Sequence, residues 1–214
     1  MNFSELLGDL NDRMSAASVT GFWSEDAKKE WLNQAGQRVC DFRPWEFLKT
    51  AKTITTMGER EYYDYPEEFK YNSIYNIKIE DEEYYSEAGR YRKKWDDFQR
   101  YKNAGSIDKI FTNHNKWYFL YPVPEDGKTM QLYGLRKWEK LTEDTDEPIT
   151  PSEFDEAIVR TALASCLRKA RRHDEANSHI AEIFSPEGGV LLNLWIQEQD
   201  EGPRGYAGTI KSTR

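Results

Sequence analysis

Three histidines, two cysteines and several clustered carboxylates are where this chain could do chemistry, and none of them falls into a catalytic spacing. A histidine that ligates a metal or moves a proton needs partners that orient it. His114 sits between Asn113 and Asn115 in a turn-like stretch, while His173 and His179 lie far along the chain. HExxH, GxSxG, Walker and glycine-rich dinucleotide patterns do not occur. Cys40 and Cys166 each fall in a helical pattern without CxxC spacing, which reads as two buried free thiols. The run Glu80, Asp81, Glu82, Glu83 lacks the alternating ligands and turn glycine of a calcium loop and reads as a solvated connection. Glu61 and Asp64 could act as an acid–base pair, with Trp117, Tyr118, Tyr121 and Trp138 stacking on sugar rings. The same rings at alternating strand positions equally make core and cross-strand pairs. Arg168, Lys169, Arg171 and Arg172 cluster near a helix end, where cations complement the dipole and the last carbonyls. Contact with an acidic partner or with DNA phosphates is the other reading of that cluster. No cofactor or metal follows from these residues.

The elements that would position such groups are legible from the hydrophobic period. Phe3, Leu6, Leu7 and Leu10 predict a short first helix. Ser24 caps a second, with Glu25 and Asp26 in its first turn and Trp31, Leu32, Ala35 and Val39 as its apolar stripe. Trp45 and Leu48 continue onto a short segment after Pro44. From about residue 51 the period shifts toward two: Thr53–Thr56, Tyr62, Tyr63, and Ile77 with Ile79 on one face. Arg90 to Tyr101 reads as a helix carrying Trp95 and Phe98. The stretch from Lys116 to Trp138 reads as a tight aromatic hairpin turned at Glu125–Lys128, because Gly127 tolerates positive φ. Trp117, Phe119 and Tyr121 face one side of it, and Tyr118 and Leu120 the other. Thr150-Pro151-Ser152-Glu153 then predicts a capping box. The helix behind it has one stripe of Phe154, Ile158, Ala162, Cys166 and Ala170 and a second of Val159, Leu163 and Leu167. So wide an apolar arc implies contacts on more than one side. A further helix runs through Ile180 and Phe184, and Pro186 starts a last one with Leu191, Leu192, Trp195 and Ile196.

The predicted fold class is therefore α+β. A helical bundle is formed by the N- and C-terminal flanks, residues 1–50 and 149–200. Residues 51–148 are a β-rich inserted subdomain, and 201–214 are a flexible tail. Hydrophobic residues make up 38% of the 214, below the roughly 45–50% of globular chains, so partners are expected to share the burial. Aromatics at 14% carry much of the core. The net charge is −8. Residues 1–200 hold 27 Lys and Arg against 37 Asp and Glu, whereas the tail has Arg204, Lys211 and Arg214 against Glu201. An acidic body argues against a broad duplex footprint. No secretory signal and no apolar run of about 18–20 residues is visible, so a soluble protein is expected, with no membrane partner.

The order of an N-terminal helical segment, the Tyr65-Pro66 stretch before a strand, WYFLYPVPEDGKTMQLYGL, an acidic linker ending in Pro148, TPSEFDEAIVRTALASCLRKA and DEANSHIAEIF resembles the head-to-tail adaptor proteins of tailed bacteriophages, over roughly residues 22–185. The long region between Tyr71 and Asn115 departs from their compact forms. The resemblance implies a non-enzymatic structural adaptor of the head–tail connector. It would form a homo-oligomeric ring, typically of twelve copies, under the portal protein and above a tail or nozzle protein. DNA would pass through the lumen without specific binding. It would reside in the virion neck, and in the host cytoplasm during assembly. The C-terminal segment would dock on the portal. Leu191, Leu192, Trp195, Tyr206 and Ile210 are its apolar anchors here, and Arg204, Lys211 and Arg214 its charges. Val159, Leu163 and Leu167 would supply subunit contacts. A carbohydrate-binding or carbohydrate-cleaving virion component and a cytoplasmic regulatory binding domain stand as alternatives.

Overall fold

The computed structural model describes residues 1–19, 23–80, 82–83, 94–105 and 109–201. In chain order the elements are α1 (Phe3–Ala16), α2 (Glu25–Phe42), β1 (Lys49–Thr55), β2 (Tyr62–Asp64), β3 (Asn76–Ile79), β4 (Glu82–Glu83), α3 (Trp95–Asn103), β5 (Ile110–His114), β6 (Trp117–Tyr121), β7 (Thr129–Leu135), α4 (Asp155–Lys169), α5 (His173–Phe184) and α6 (Val190–Glu201). The fold class is α+β. Contacts divide the chain into a helical unit, residues 1–47 with 138–201, and a β unit, residues 48–137.

Local chemistry sets the helix ends of the first unit. The Asn2 side chain accepts from the Glu5 N–H at 2.9 Å and Glu5 accepts from the Asn2 N–H at 2.9 Å. This capping box opens a helix of four turns, longer than the short one expected. Ser24 Oγ accepts from the Ala27 N–H at 3.2 Å and opens α2 as predicted. Arg43 ends α2 in extended backbone because it precedes Pro44. The predicted stripes of α1 and α2 are buried, and Cys40 is buried with them. Between Trp138 and Pro148 the chain runs along α2. Asn33, itself buried, donates to the Leu141 carbonyl at 3.0 Å and accepts from the Leu141 N–H at 2.8 Å and from Trp138 Nε1 at 3.2 Å. Residues 138–148 thus pack with the helices, although their polar sequence reads as the end of the insertion.

Two predicted helix starts move. A single 3₁₀ turn, Ser152–Phe154, precedes α4, so Thr150 stands five residues ahead of Asp155 and its buried Oγ1 has no hydrogen-bond partner among the described residues. The capping box read from Thr150 and Glu153 does not form. Pro186 belongs to a turn, and α6 begins only at Val190. The two glycines between them explain this. A Cβ on Gly189 would lie 2.6 Å from the Ser185 nitrogen, and Gly188 has φ +158.

The β unit is two antiparallel sheets of order β1-β7-β3-β4 and β2-β6-β5. They share one core, with Ile77, Ile79, Met130 and Leu132 from the first and Tyr63, Phe111, Tyr118 and Leu120 from the second. The second sheet's other face carries Trp117 and Phe119. There α3 lays Trp95 4.8 Å from the Phe119 ring and 4.3 Å from His114. The alternation read in β6 and β7 holds, but the hairpin between them does not. β6 pairs with β5 and β2, while β7 pairs with β1 and β3. Pro122 and Pro124 follow β6 and offer no N–H to a ladder. The Glu125–Lys128 turn instead closes on the end of β1, where the Thr56 N–H donates to the Lys128 carbonyl at 2.8 Å and the Gly127 N–H to the Thr56 carbonyl at 3.1 Å. The hairpin that forms is β5–β6, joined by Asn115 and Lys116, with Asn115 at φ +52.

Candidate docking site

α6 is seated on the helical unit by one edge. Leu191, Trp195 and Glu198 fall at i, i+4 and i+7, so they share a face. Leu191 is fully buried, and the Trp195 ring meets Trp45 edge-on at 5.6 Å. Glu198 accepts from the Glu46 N–H at 2.9 Å. Trp45 is itself fixed, with its indole N–H donated to the Val39 carbonyl at 2.9 Å and Phe154 against it at 4.8 Å. The neighbouring flank of α6 holds Leu192 and, one turn on, Ile196. Leu192 is half-buried and Ile196 is 47% exposed. Outward apolar residues at i and i+4 form a short sticky stripe. Of the predicted docking residues, Leu191 faces inward, Trp195 is partly spent on its seat, and Leu192 lies on the outward flank. Ile196 joins that flank, and sequence reasoning had given it only to the helix. Arg204, Tyr206, Ile210, Lys211 and Arg214 lie outside the described residues.

The predicted subunit contacts have another setting. Val159, Leu163 and Leu167 are all buried within a single chain, because α4 is the central helix and packs against α1, α2 and α5. The second stripe that suggested a partner is filled by the chain's own helices. Cys166 is buried beside Met14, and burial pushes its thiol up to about 12, so it stays protonated and unreactive at neutral pH.

The residues considered for chemistry are occupied in ordinary ways. Glu61 accepts from Lys102 Nζ at 2.6 and 2.7 Å. Asp64 accepts from Trp117 Nε1 at 3.1 Å and pairs with Arg60. Tyr118 is fully buried in the β-unit core, and burial raises its phenol above the usual range. Trp138 is buried in the helical unit. The four rings proposed for sugar stacking therefore do not line one groove. Glu82 pairs with Lys109 in the β unit. Among the described residues no three His, Cys, Asp or Glu side chains converge to hold a metal, and no helix is long and apolar enough to cross a membrane. The basic cluster does sit at a helix end. Arg168 and Lys169 close α4, and Arg172 donates to the Ala17 carbonyl and pairs with Glu175. Trp31, Gln34, Ser165, Arg168 and Lys169 line a shallow depression of about 380 Å³.

No curated protein matches the chain. The sequence model of one family, described as SU10 adaptor protein, matches residues 1–185, which take in the β unit and the helical unit as far as the end of α5. α6 lies beyond the matched span, so its docking role rests on its own geometry. With nearly all of its ordered helices and both sheets inside the match, the chain belongs to the SU10 adaptor protein family, a family of phage head–tail adaptors.

Proposed function

We propose that this protein is a structural, non-enzymatic adaptor of the phage head–tail connector. It forms a ring under the portal, joins the capsid to a tail or nozzle protein and lets DNA pass. In this reading α6 and the segment after it dock on the portal. The observation that carries the docking role is the outward stripe of Leu192 and Ile196 on a helix whose adjoining face is clamped by Trp45. A clamped helix with an exposed apolar flank presents a preorganised surface and loses little further freedom on binding. The basic residues of the tail suit an acidic groove on a partner.

The test is retention on portal-bearing heads. Leu192→Glu with Ile196→Glu, and separately deletion of residues 201–214, should leave far-UV ellipticity unchanged and lower the amount of protein that cosediments with heads. Retention equal to that of the full chain in both variants would place docking on another surface, with the β unit next to be tried.

A further inference from the structure

The helical unit pairs many of its charges internally, and two of the groups it leaves unpaired lie on either side of α2. Arg13 pairs with Asp9 and Glu156, Lys29 with Glu25 and Asp144, Lys140 with Glu30, and Arg160 with Glu156 and Glu182. Arg38, Arg168, Lys169 and Arg171 have no carboxylate partner among the described residues, and all four are exposed. Arg38 stacks over Phe184 at 4.5 Å, and Arg168 has only the neutral Asn177 side chain at 3.4 Å. Trp31, Gln34 and Ser165 line the depression together with Arg168 and Lys169, and Arg38 lies one turn beyond Gln34 on α2. Cations gathered on facing helices with no carboxylate partner among the described residues favour an anion there. Burial and then the Arg168 charge hold Arg38 below its usual range.

The second group is the acidic segment after Trp138. Glu139 and Glu143 are exposed and make no ion pair among the described residues. Their backbone is held firmly. Asp146 accepts from the Thr142 and Glu143 N–H groups at 2.7 and 2.9 Å, and Asp144 is tied to Lys29 at 2.8 Å. The segment touches α2 at Lys29, Glu30, Asn33 and Gly36, whereas the depression is lined from α2 by Trp31 and Gln34, with Arg38 one turn further on. At 3.6 residues per turn those two sets are centred roughly 145° apart around the helix. An anionic projection and a cationic recess thus lie back to back on one rigid element. Such a pair cannot satisfy itself within a chain, but it can be satisfied by a copy placed head to tail, a heterologous contact that repeats until it closes.

We propose that the recess at Arg38, Arg168 and Lys169 receives the Glu139–Glu143 segment of a second copy of this chain. This rests on the ring reading above and names its contact. Guanidinium favours carboxylate through forked hydrogen bonds. A chain of net charge −8 repels its copies wherever opposite charges do not meet, and the same acidity works against a nucleic-acid strand as occupant.

Charge reversal tests it on the full chain. Arg38→Glu with Arg168→Glu is one variant, and Glu139→Lys with Glu143→Lys is the other. Each is checked for native ellipticity and followed by sedimentation velocity, alone and on portal-bearing heads. Each alone should need at least tenfold more protein to assemble, and an equimolar mixture should assemble like wild type, because every contact then joins opposite charges. If a reversed variant unfolds, Arg38→Gln with Arg168→Gln replaces it and should weaken assembly in the same direction. Wild-type assembly by the separate variants would overturn the inference and leave the ring reading standing. Normal assembly with loss of salt-sensitive duplex binding by the arginine variant would reassign the recess to nucleic acid. A wild-type chain that stays monomeric even on heads would remove the ring and the contact together.

Discussion

Gly36→Ala should destabilise the protein, although it improves the helix. Gly36 lies in the middle of α2, where alanine is favoured over glycine by about 1 kcal/mol. Against this, a Cβ at that position would stand 2.4 Å from two ring carbons of Trp138. Carbon atoms pack at about 3.5–4.0 Å, so the ring would have to retreat by more than about 1 Å. It has little freedom to do so, being buried and tied through its indole N–H to Asn33 at 3.2 Å. Overpacking costs about 1–3 kcal/mol, and a rigid ring against backbone belongs at the upper end. The net loss should be about 1–2 kcal/mol, read as a lower midpoint in urea unfolding followed by far-UV ellipticity. The informative control is the same substitution in a Trp138→Ala background. That background itself loses about 3–5 kcal/mol, but with the ring gone Gly36→Ala should become stabilising by about 1 kcal/mol. A stabilising Gly36→Ala in the wild-type background, or no change of sign in the double variant, would refute the packing of Trp138 on α2.

Asn2→Ala removes a formed capping box and should cost about 0.5–2 kcal/mol by urea unfolding. Thr150→Val removes a buried hydroxyl that has no partner among the described residues and should leave stability unchanged or raise it. Leu163→Ala, in the middle of the central helix, should cost about 2–5 kcal/mol. Asp146 is held below its ordinary range by the Thr142 and then the Glu143 N–H groups. A depressed folded value means that its contribution is complete above the usual aspartate range, about 4, and is lost as pH falls through the folded value. Asp146→Asn should therefore flatten the acid limb of a stability–pH profile below about pH 4. Duplex binding by the intact chain should be weak and vanish at physiological salt, and a tight complex in a gel-shift assay at that salt would contradict the acidic body.

The helices were readable because their signals are local. Ser24 caps where it stands, and the spacing of Phe3, Leu6, Leu7 and Leu10 needs no knowledge of what they meet. The failures come from signals that are local in form but decided at a distance. Thr150-Pro151-Ser152-Glu153 satisfies the pattern of a cap, yet the chain takes a 3₁₀ turn first and the cap has no helix to cover. Gly127 makes the turn it promised, but the strand it delivers finds β1, more than seventy positions earlier, because the prolines after Tyr121 close off the nearer partner. The width of the apolar arc on α4 was legible. Whether its second stripe meets another subunit or α1, α2 and α5 was not, since a sequence shows that a surface must be covered and leaves open by what. The recess at Arg38 and Arg168 was half visible. Two of its cations, Arg168 and Lys169, stood together near one helix end, but Arg38 joins them only through the packing of α2 on α4.

The pairing of β1 with β7 places the first and last strands of the β unit side by side. Lys49 lies opposite Leu135, and the Arg136 N–H donates to the Leu48 carbonyl at 2.8 Å. Entry and exit points are then about 5 Å apart, the spacing of neighbouring strands. Such a unit is a cassette. Nearly ninety residues could be cut out and the gap bridged by a linker of one or two residues, or another small domain with adjacent termini spliced in its place. Its loops can lengthen, shorten or change partner over generations without a helix of the helical unit having to be rebuilt.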